Sequence, residues 1–421
     1  MIKDFVKIDS KIVKNNLINL KNVVFEVTDA CNLQCKYCGY GELYYGYSER
    51  KREKLSFNKA VQIINYLTSL WIDNLGSSLI QPFTLSFYGG EPLLNMHLIR
   101  EIVLYVENLK NVVGKKFYYN MTTNGILLNR YMDYLAEKKF NLLVSIDGNE
   151  TNHSYRVDTK GQNSHRQVVE NIKLLQQTHP EYFLRHVRFN TVLHNRNSVE
   201  SAFRYIKDNF GKNTKISPLN NSGIRPEKVE EFLLAYQNIN ESINNSVDCE
   251  ALESELFIES PRISQLANFL YHYSGNVFDT YNDLLVNRNK PWVTSPTGTC
   301  TPFSKKMFVS VNGKILSCEK VNHEFAWGQV YDDKVDLDMK AIVERFNNYV
   351  FRYIRQCRSC AMNDMCKQCV FQIDDINDPD TKCRSYTNKE AQKRYIQKQL
   401  DYMGKHPNLY DKILKKVIIT K

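Results

Sequence analysis

Six short β-type runs between residues 23 and 220 alternate with helical ones, and this alternation constrains the fold more than any other feature. "VVFEVT" (residues 23–28) alternates as a strand. Ser56 then caps a helix in which Phe57, Ala60, Val61, Ile64, Leu67 and Trp71 recur at helical spacing. "FTLSFY" (83–88) precedes a helix carrying Ile99, Ile102, Val103 and Val106. "FYYNMTT", "NLLVSID", "VRFNTVL" and "KISPL" continue the series. Strands alternating with helices form a parallel sheet with right-handed crossovers. Six units are too few for a closed eight-unit barrel, so the fold class expected is α/β, a curved partial (β/α)6 barrel. Functional residues of such barrels gather in the loops after the strands' C-terminal ends. Every glycine- or cysteine-rich motif of residues 23–220 falls at such an end.

The first of these loops is "DACNLQCKYCGY", which spaces Cys31, Cys35 and Cys38 as C-x3-C-x2-C. Three thiols are one too few for a closed tetrahedral metal site. A zinc reading needs a fourth ligand, for which Asp29 is the obvious local candidate. A [4Fe–4S] cubane normally takes four thiolates, so three would leave one iron open. The chain has no signal-type N-terminus and no long apolar span, which leads us to expect a cytoplasmic protein. There the 11 cysteines point to metal or catalysis rather than disulfides. They are clustered: three at 31–38, Cys249 alone, and seven from Cys300 to Cys383. With 43% hydrophobic and 24% charged residues the composition is globular. The net charge of +10 is spread without a run of five basic residues, which gives little support to a nucleic-acid partner.

The loop resembles the radical S-adenosylmethionine (SAM) superfamily, whose motif is C-x3-C-x-aromatic-C, with Tyr37 in the aromatic slot. The resemblance implies that the amino and carboxylate groups of SAM chelate the open iron. One electron then cleaves a carbon–sulfur bond and releases a 5′-deoxyadenosyl radical. Later motifs follow in the family's order. "GGEP" matches the turn in which Gly89, Gly90 and Glu91 receive the SAM amino group. "TTNG" places Asn124 after the third strand. "SIDG" (Ser145, Asp147) and "HSYR" (Arg156) match the region contacting ribose and carboxylate, with Arg166 a rival for the carboxylate.

The C-terminal cysteines read Cys300-x12-Gly313-x4-Cys318, then Cys357-x2-Cys360-x5-Cys366-x2-Cys369, then Cys383. Two CxxC pairs five residues apart are too close for a zinc ribbon. The pattern resembles the SPASM domain, which binds two auxiliary [4Fe–4S] clusters. The resemblance assigns Cys300, Cys318 and Cys369 to an inner cluster, and Cys357, Cys360, Cys366 and Cys383 to an outer one, making three clusters in all. The spacing before Cys369 is one residue shorter than usual in the family. The inner set has three ligands, so its site is open unless Cys249 closes it; we expect it open. "KMFVSVNGKILSC" reads as a hairpin with a type I′ turn at Asn312-Gly313. Expected segments are an arm (1–22), the barrel (23–220), a helical bridge (221–298), the SPASM domain (299–385) and a helical tail (386–421).

Barrel plus SPASM resembles enzymes that modify peptide side chains. The expected function is an oxidoreductase or maturase that forms a carbon–carbon or thioether crosslink in a ribosomally made precursor peptide. Glu319, beside Cys318, matches an acidic residue that acts as a base in sulfatase maturases. A sulfatase maturase, converting Cys or Ser to formylglycine, is the alternative, although its usual aromatic residue after the third cysteine is Gly39 here. A non-catalytic iron–sulfur electron carrier or nucleic-acid-binding protein is a third reading. A reductant such as flavodoxin or ferredoxin is an implied partner, and no membrane is. Only 22 residues precede the first strand, so a leader peptide is expected to bind elsewhere on the chain or on a separate protein.

Overall fold

The computed structural model describes residues 5–74, 82–273, 295–378 and 381–416. Parts of the arm (1–4), the bridge (274–294) and the tail (417–421) lie outside the described residues. Six parallel strands form in the expected order: β1 (Asn22–Thr28), β2 (Phe83–Gly89), β3 (Phe117–Thr123), β4 (Asn141–Ser145), β5 (Val187–Leu193) and β6 (Thr214–Pro218). They are covered by α1 (Ser10–Ile18), α2 (Phe57–Ile72), α3 (Met96–Val113), α4 (Leu128–Glu137), α5 (His165–Thr178), α6 (Pro180–His186) and α7 (Val199–Phe210). The short α6 is not evident in the periodicity; Pro180 starts it at a position where its missing N–H costs nothing.

Alternation decides which face of the sheet meets the helices. Phe83, Leu85 and Phe87 of β2 are buried with Leu142 and Val144 of β4 and Val187 and Phe189 of β5. The alternate residues Ser86, Asn120, Asn141, Arg188 and Asn190 are polar, so the concave face of the partial barrel is hydrogen-bonding rather than oily. Ser86 donates to Asn22 Oδ1 at 2.9 Å, Asn141 to Asn120 Oδ1 at 2.9 Å and Ser217 to Asn190 Oδ1 at 2.8 Å. As expected, the Ser56 hydroxyl caps α2, accepting from Lys59 N at 3.2 Å. Ile63, rather than Val61, joins Ala60, Ile64, Leu67 and Trp71 in its buried stripe.

The sheet does not stop at β1. β7 (Met307–Val309) pairs with β1 in parallel, and β8 (Lys314–Leu316), β9 (Gly328–Val330) and β10 (Val335–Asp336) add antiparallel strands. The ten-strand order is β10-β9-β8-β7-β1-β2-β3-β4-β5-β6. By compactness the chain divides into two units, one of Asp9–Ser242 with Cys300–Val343, the other of Met1–Ile8, Ile243–Thr299 and Glu344–Lys421. The second unit has its own core, in which Ile263, Leu266, Leu270 and Ile413 are buried against Tyr395, Tyr402 and Leu409. Among the described residues no helix is long and apolar enough to cross a membrane.

The hairpin turn differs from the expected one. Only Gly313 has a positive φ, +84°, whereas a type I′ turn needs two such residues. Gly313 N donates to Ser310 O, and Ser310 N to Lys314 O, so a wider loop closes on a single left-handed glycine. A Cβ on Gly313 would lie 2.3 Å from Val330 O, in the neighbouring strand. Gly313→Ala is therefore expected to lower stability by at least about 1 kcal/mol, checked by denaturant unfolding.

Candidate iron–sulfur and SAM site

The cysteine loop is held against the end of β2 by a contact that only glycine permits. Gly90 N donates to Thr28 O and Glu91 N to Ala30 O, both at 2.9 Å. A Cβ on Gly89 would lie 2.1 Å from Thr28 O, and one on Gly90 2.1 Å from Ala30 O. Any side chain at either position would push the loop off the strand end.

Each sulfur faces a donor. Leu33 N points at Cys31 Sγ (3.4 Å), with Asn124 Nδ2 further off (3.8 Å). Arg156 Nη1 lies 4.0 Å from Cys35 Sγ, and Arg50 Nη2 3.5 Å from Cys38 Sγ. Burial pushes the Cys31 thiol up to about 11 and Cys35 up to about 12, and the three sulfurs repel one another's charge. Such thiols ionise only when a cation takes the proton's place. Among the described residues no three His, Cys, Asp or Glu side chains converge as a single metal ion would require. A cubane asks for something else, each thiolate on its own iron. The residues fit it: Arg50 Nε is a buried donor without a partner beside Cys38, suited to a cluster sulfide.

Glu91 is buried at the bottom of this site. Its Oε1 accepts from Leu93 N and Thr123 Oγ1, its Oε2 from Asn124 N at 2.7 Å. Burial pushes it up to about 7, with those hydrogen bonds opposing. Asn124 Nδ2 donates to Asn32 Oδ1 at 2.7 Å, linking the third-strand loop to the cysteine loop. Ser145 ends β4, nearly buried.

Asp147 and Arg156, expected at the ligand, are bound first to each other. Arg156 Nε and Nη2 donate to Asp147 at 3.0 and 3.3 Å, and both side chains are buried. The Tyr37 hydroxyl and Val192 N donate to the same carboxylate. Burial alone would raise Asp147, but Arg156, His194, His153 and the Tyr37 hydroxyl outweigh it and hold the carboxyl well below its usual range. Nη1, on the Cys35 side, takes no part in that pairing. The rival Arg166 is exposed on α5 and pairs with Glu170.

A cavity of about 250 Å³ lies on the concave face, lined among others by Tyr88, Asn120, Thr122, Arg188, Lys306 and Glu319. Lys306 Nζ lies 3.0 and 2.9 Å from the two Glu319 oxygens, so the carboxylate is paired across the hairpin and not with its neighbour Lys320. Strand pairing places Lys306 and Cys318 level with Asn22, at the opposite end of β1 from the cysteine loop. Tyr47 feels the charges of Cys318, Glu319 and Cys38. Cys300 acts on Cys318 within the first unit. In the second unit Cys357, buried and pushed up to about 12, feels Cys366, Cys383 and Cys360, which brings those four together. Cys369 also belongs to the second unit. Cys249 begins a helix of that unit, Cys249–Leu256, where the acting charges are Glu253, Arg262, Glu250 and Asp248. Arg50, Tyr47 and Lys306 escaped the sequence reading, because their only signals were a mixed charge run, a tyrosine-rich loop and a strand edge.

Residues 25–202 match the radical SAM superfamily. That stretch is therefore a radical SAM domain, a family that implies SAM and a [4Fe–4S] cluster. It is 24% identical over 389 residues to the radical SAM cyclopropyl synthase TigE of Paramaledivibacter caminithermalis, covering 79% of this chain and 76% of that protein. It is 23% identical over 361 residues to a cysteine-type anaerobic sulfatase-maturating enzyme of Clostridium perfringens, covering 83% and 88%. In fold it is similar to native anSMEcpe with bound AdoMet and Cp18Cys peptide, with a TM-score of 0.58 at 18% identity over 95% of this chain and 100% of that one.

Arg156→Ala would strand the buried Asp147 charge. We expect a loss of about 3–5 kcal/mol at neutral pH, read by thermal or denaturant unfolding. Because the folded carboxyl is depressed, the stability Asp147 contributes is present above its unfolded pKa and is lost as pH falls through the folded one. The gap between wild type and variant should therefore narrow in acid.

Proposed function

We propose that the enzyme uses SAM to modify a side chain of a ribosomally made peptide, forming a carbon–carbon or thioether crosslink. The observation that carries this is the arrangement of the concave face. A donor-lined three-cysteine loop closes one end, Cys318 and Glu319 stand at the other, and a polar cavity lies on the same face as Glu319. The relation to a cyclopropyl synthase over most of both chains supports bond formation between carbons. A structure of similar fold holds a peptide, which supports a peptide substrate.

In this reading Cys31, Cys35 and Cys38 hold the cluster and leave one iron for SAM, which supplies a 5′-deoxyadenosyl radical for hydrogen abstraction when bound. The Gly89–Gly90 backbone and Glu91 receive the amino group. Glu91 is poised for this, since the N–H groups that a metal-bound amine would keep can donate to it and favour its ionised form. Arg156 offers Nη1 to the carboxylate while Asp147 fixes its plane, and Tyr37 is locked beneath. Asn124 and Ser145 border the same pocket. Glu319, oriented by Lys306, accepts the proton released from the substrate. Cys357, Cys360, Cys366 and Cys383 hold an outer auxiliary cluster, and Cys300, Cys318 and Cys369 the inner one. In this reading the segments are an arm (1–22), the barrel (23–220), a bridge (221–298), a SPASM domain (299–385), whose first strands extend the barrel sheet, and a tail (386–421). A reductant supplies the electron, and a leader peptide binds this chain or a separate protein.

Sulfatase maturation is the second reading, favoured by likeness to the maturase over 88% of its length. Product mass separates the two. With a candidate precursor, reducing anaerobic assays should yield 5′-deoxyadenosine and a peptide lighter by two hydrogens with every sulfur retained. Exchange of a cysteine sulfur for oxygen would establish the maturase instead, and no SAM cleavage would remove both. Independently, SAM affinity should strengthen as pH rises through about 7, where Glu91 ionises. In Glu91→Gln, calorimetric titration should find that slope gone and affinity reduced.

A further inference from the structure

The segment "SERKREK" (48–54) looks like an ordinary solvated charge run, but the fold fastens it to the cysteine loop. Lys51 N donates to Asp29 Oδ2 at 2.7 Å, Thr28 Oγ1 to Glu53 O at 2.7 Å and Asp29 N to Glu53 O at 3.3 Å. Leu55 N donates to Val27 O at 3.1 Å, and Thr28 and Lys54 form an antiparallel bridge. The strap thus runs along the end of β1 from which the cysteines emerge.

Its side chains divide between inside and outside. Arg50 turns inward, 3.5 Å from Cys38 Sγ, with its guanidinium 4.7 Å from the centre of the Tyr40 ring. Lys51, Arg52 and Lys54 are exposed, as is Lys36 in the cysteine loop. Arg52 is held at φ +59°, a conformation that a non-glycine residue adopts only when its surroundings fix it. None of these four cations has an ion-pair partner among the described residues. Glu49 and Glu53 are exposed on the same segment and offset part of the charge.

We infer that this strap is the docking surface for an acidic one-electron carrier protein of the flavodoxin class. The charge suits such a partner, and one residue of the strap reaches the sulfur where the electron must arrive. An acidic leader peptide would have no need of a cationic surface wired to Cys38. In the docked complex the carrier's flavin hydroquinone becomes a semiquinone, and the cluster held by Cys31, Cys35 and Cys38 takes the one electron; no bond is made or broken. This rests on the reading of those cysteines as cluster ligands.

The test compares iron–sulfur-loaded wild type with Lys51→Glu/Arg52→Asn/Lys54→Glu, asparagine being chosen because it tolerates a left-handed backbone. Flavodoxin affinity is measured across a salt series, and cluster bleaching is followed anaerobically with flavodoxin hydroquinone and with photoreduced deazaflavin. We expect flavodoxin affinity and reduction rate to fall about tenfold or more at low salt, with the gap closing as salt rises. Reduction by deazaflavin, which needs no docking surface, should be unchanged. Equal flavodoxin affinity and rate in the two proteins would overturn the inference. Equal slowing with both reductants would overturn it too, leaving the strap as a mere support of the loop. A wild type that gains no cluster absorption on reconstitution would overturn both this inference and the site reading beneath it.

Discussion

The site depends on how closely two backbones approach. Where β2 ends, Gly89 and Gly90 lie against Thr28 and Ala30 with no room for a Cβ, and two backbone hydrogen bonds close the gap. That contact fixes the start of the cysteine loop. It also sets Glu91 under the loop, where the third-strand turn reaches it through Thr123 and Asn124. Three successive strand ends are thereby joined through backbone and one buried carboxylate. Loops of this kind are ordinarily the most variable part of a barrel, and here they are bound into one piece.

A second buried charge does the same on the other side. Asp147 collects Arg156, Tyr37 and Val192 N, tying the fourth strand's loop to the middle of the cysteine motif and to β5. The pair is stable because every charge is matched by a donor or acceptor within a dry environment, where an unmatched one would be expensive. Its consequence for chemistry is orientation: the pairing fixes the plane of the Arg156 guanidinium and turns Nη1 toward Cys35.

The hairpin strands β7–β10 matter for a different reason. By pairing with β1 they lengthen the sheet rather than forming a separate lobe, and they carry Cys318, Glu319 and Lys306 to the rim opposite the cysteine loop. Tyr47, from the loop after Cys38, feels charges of both Cys38 and Cys318. The polar alternate residues of β2–β5 line the space that results.

Much of this was legible in the residues themselves. Alternation of strand and helix periods is a local property, so the six units and the positions of the motifs followed from the sequence. Cysteine spacing is equally local; that Cys357, Cys360, Cys366 and Cys383 come within electrostatic reach of one another is not contained in it. What spacing could not reveal was which partners distant residues would choose. Arg156 read as a ligand for a carboxylate, and folding gave it Asp147. Glu319 read as the neighbour of Lys320, and strand pairing gave it Lys306. Arg50 was one letter in a charged run until an antiparallel bridge turned it toward Cys38. The sequence by itself determined the kind of fold and the clustering of the cysteines along the chain, because period and spacing survive in any conformation. Only the tertiary structure decided how the charges pair, because pairing depends on which strands lie side by side and on which groups are taken out of water together.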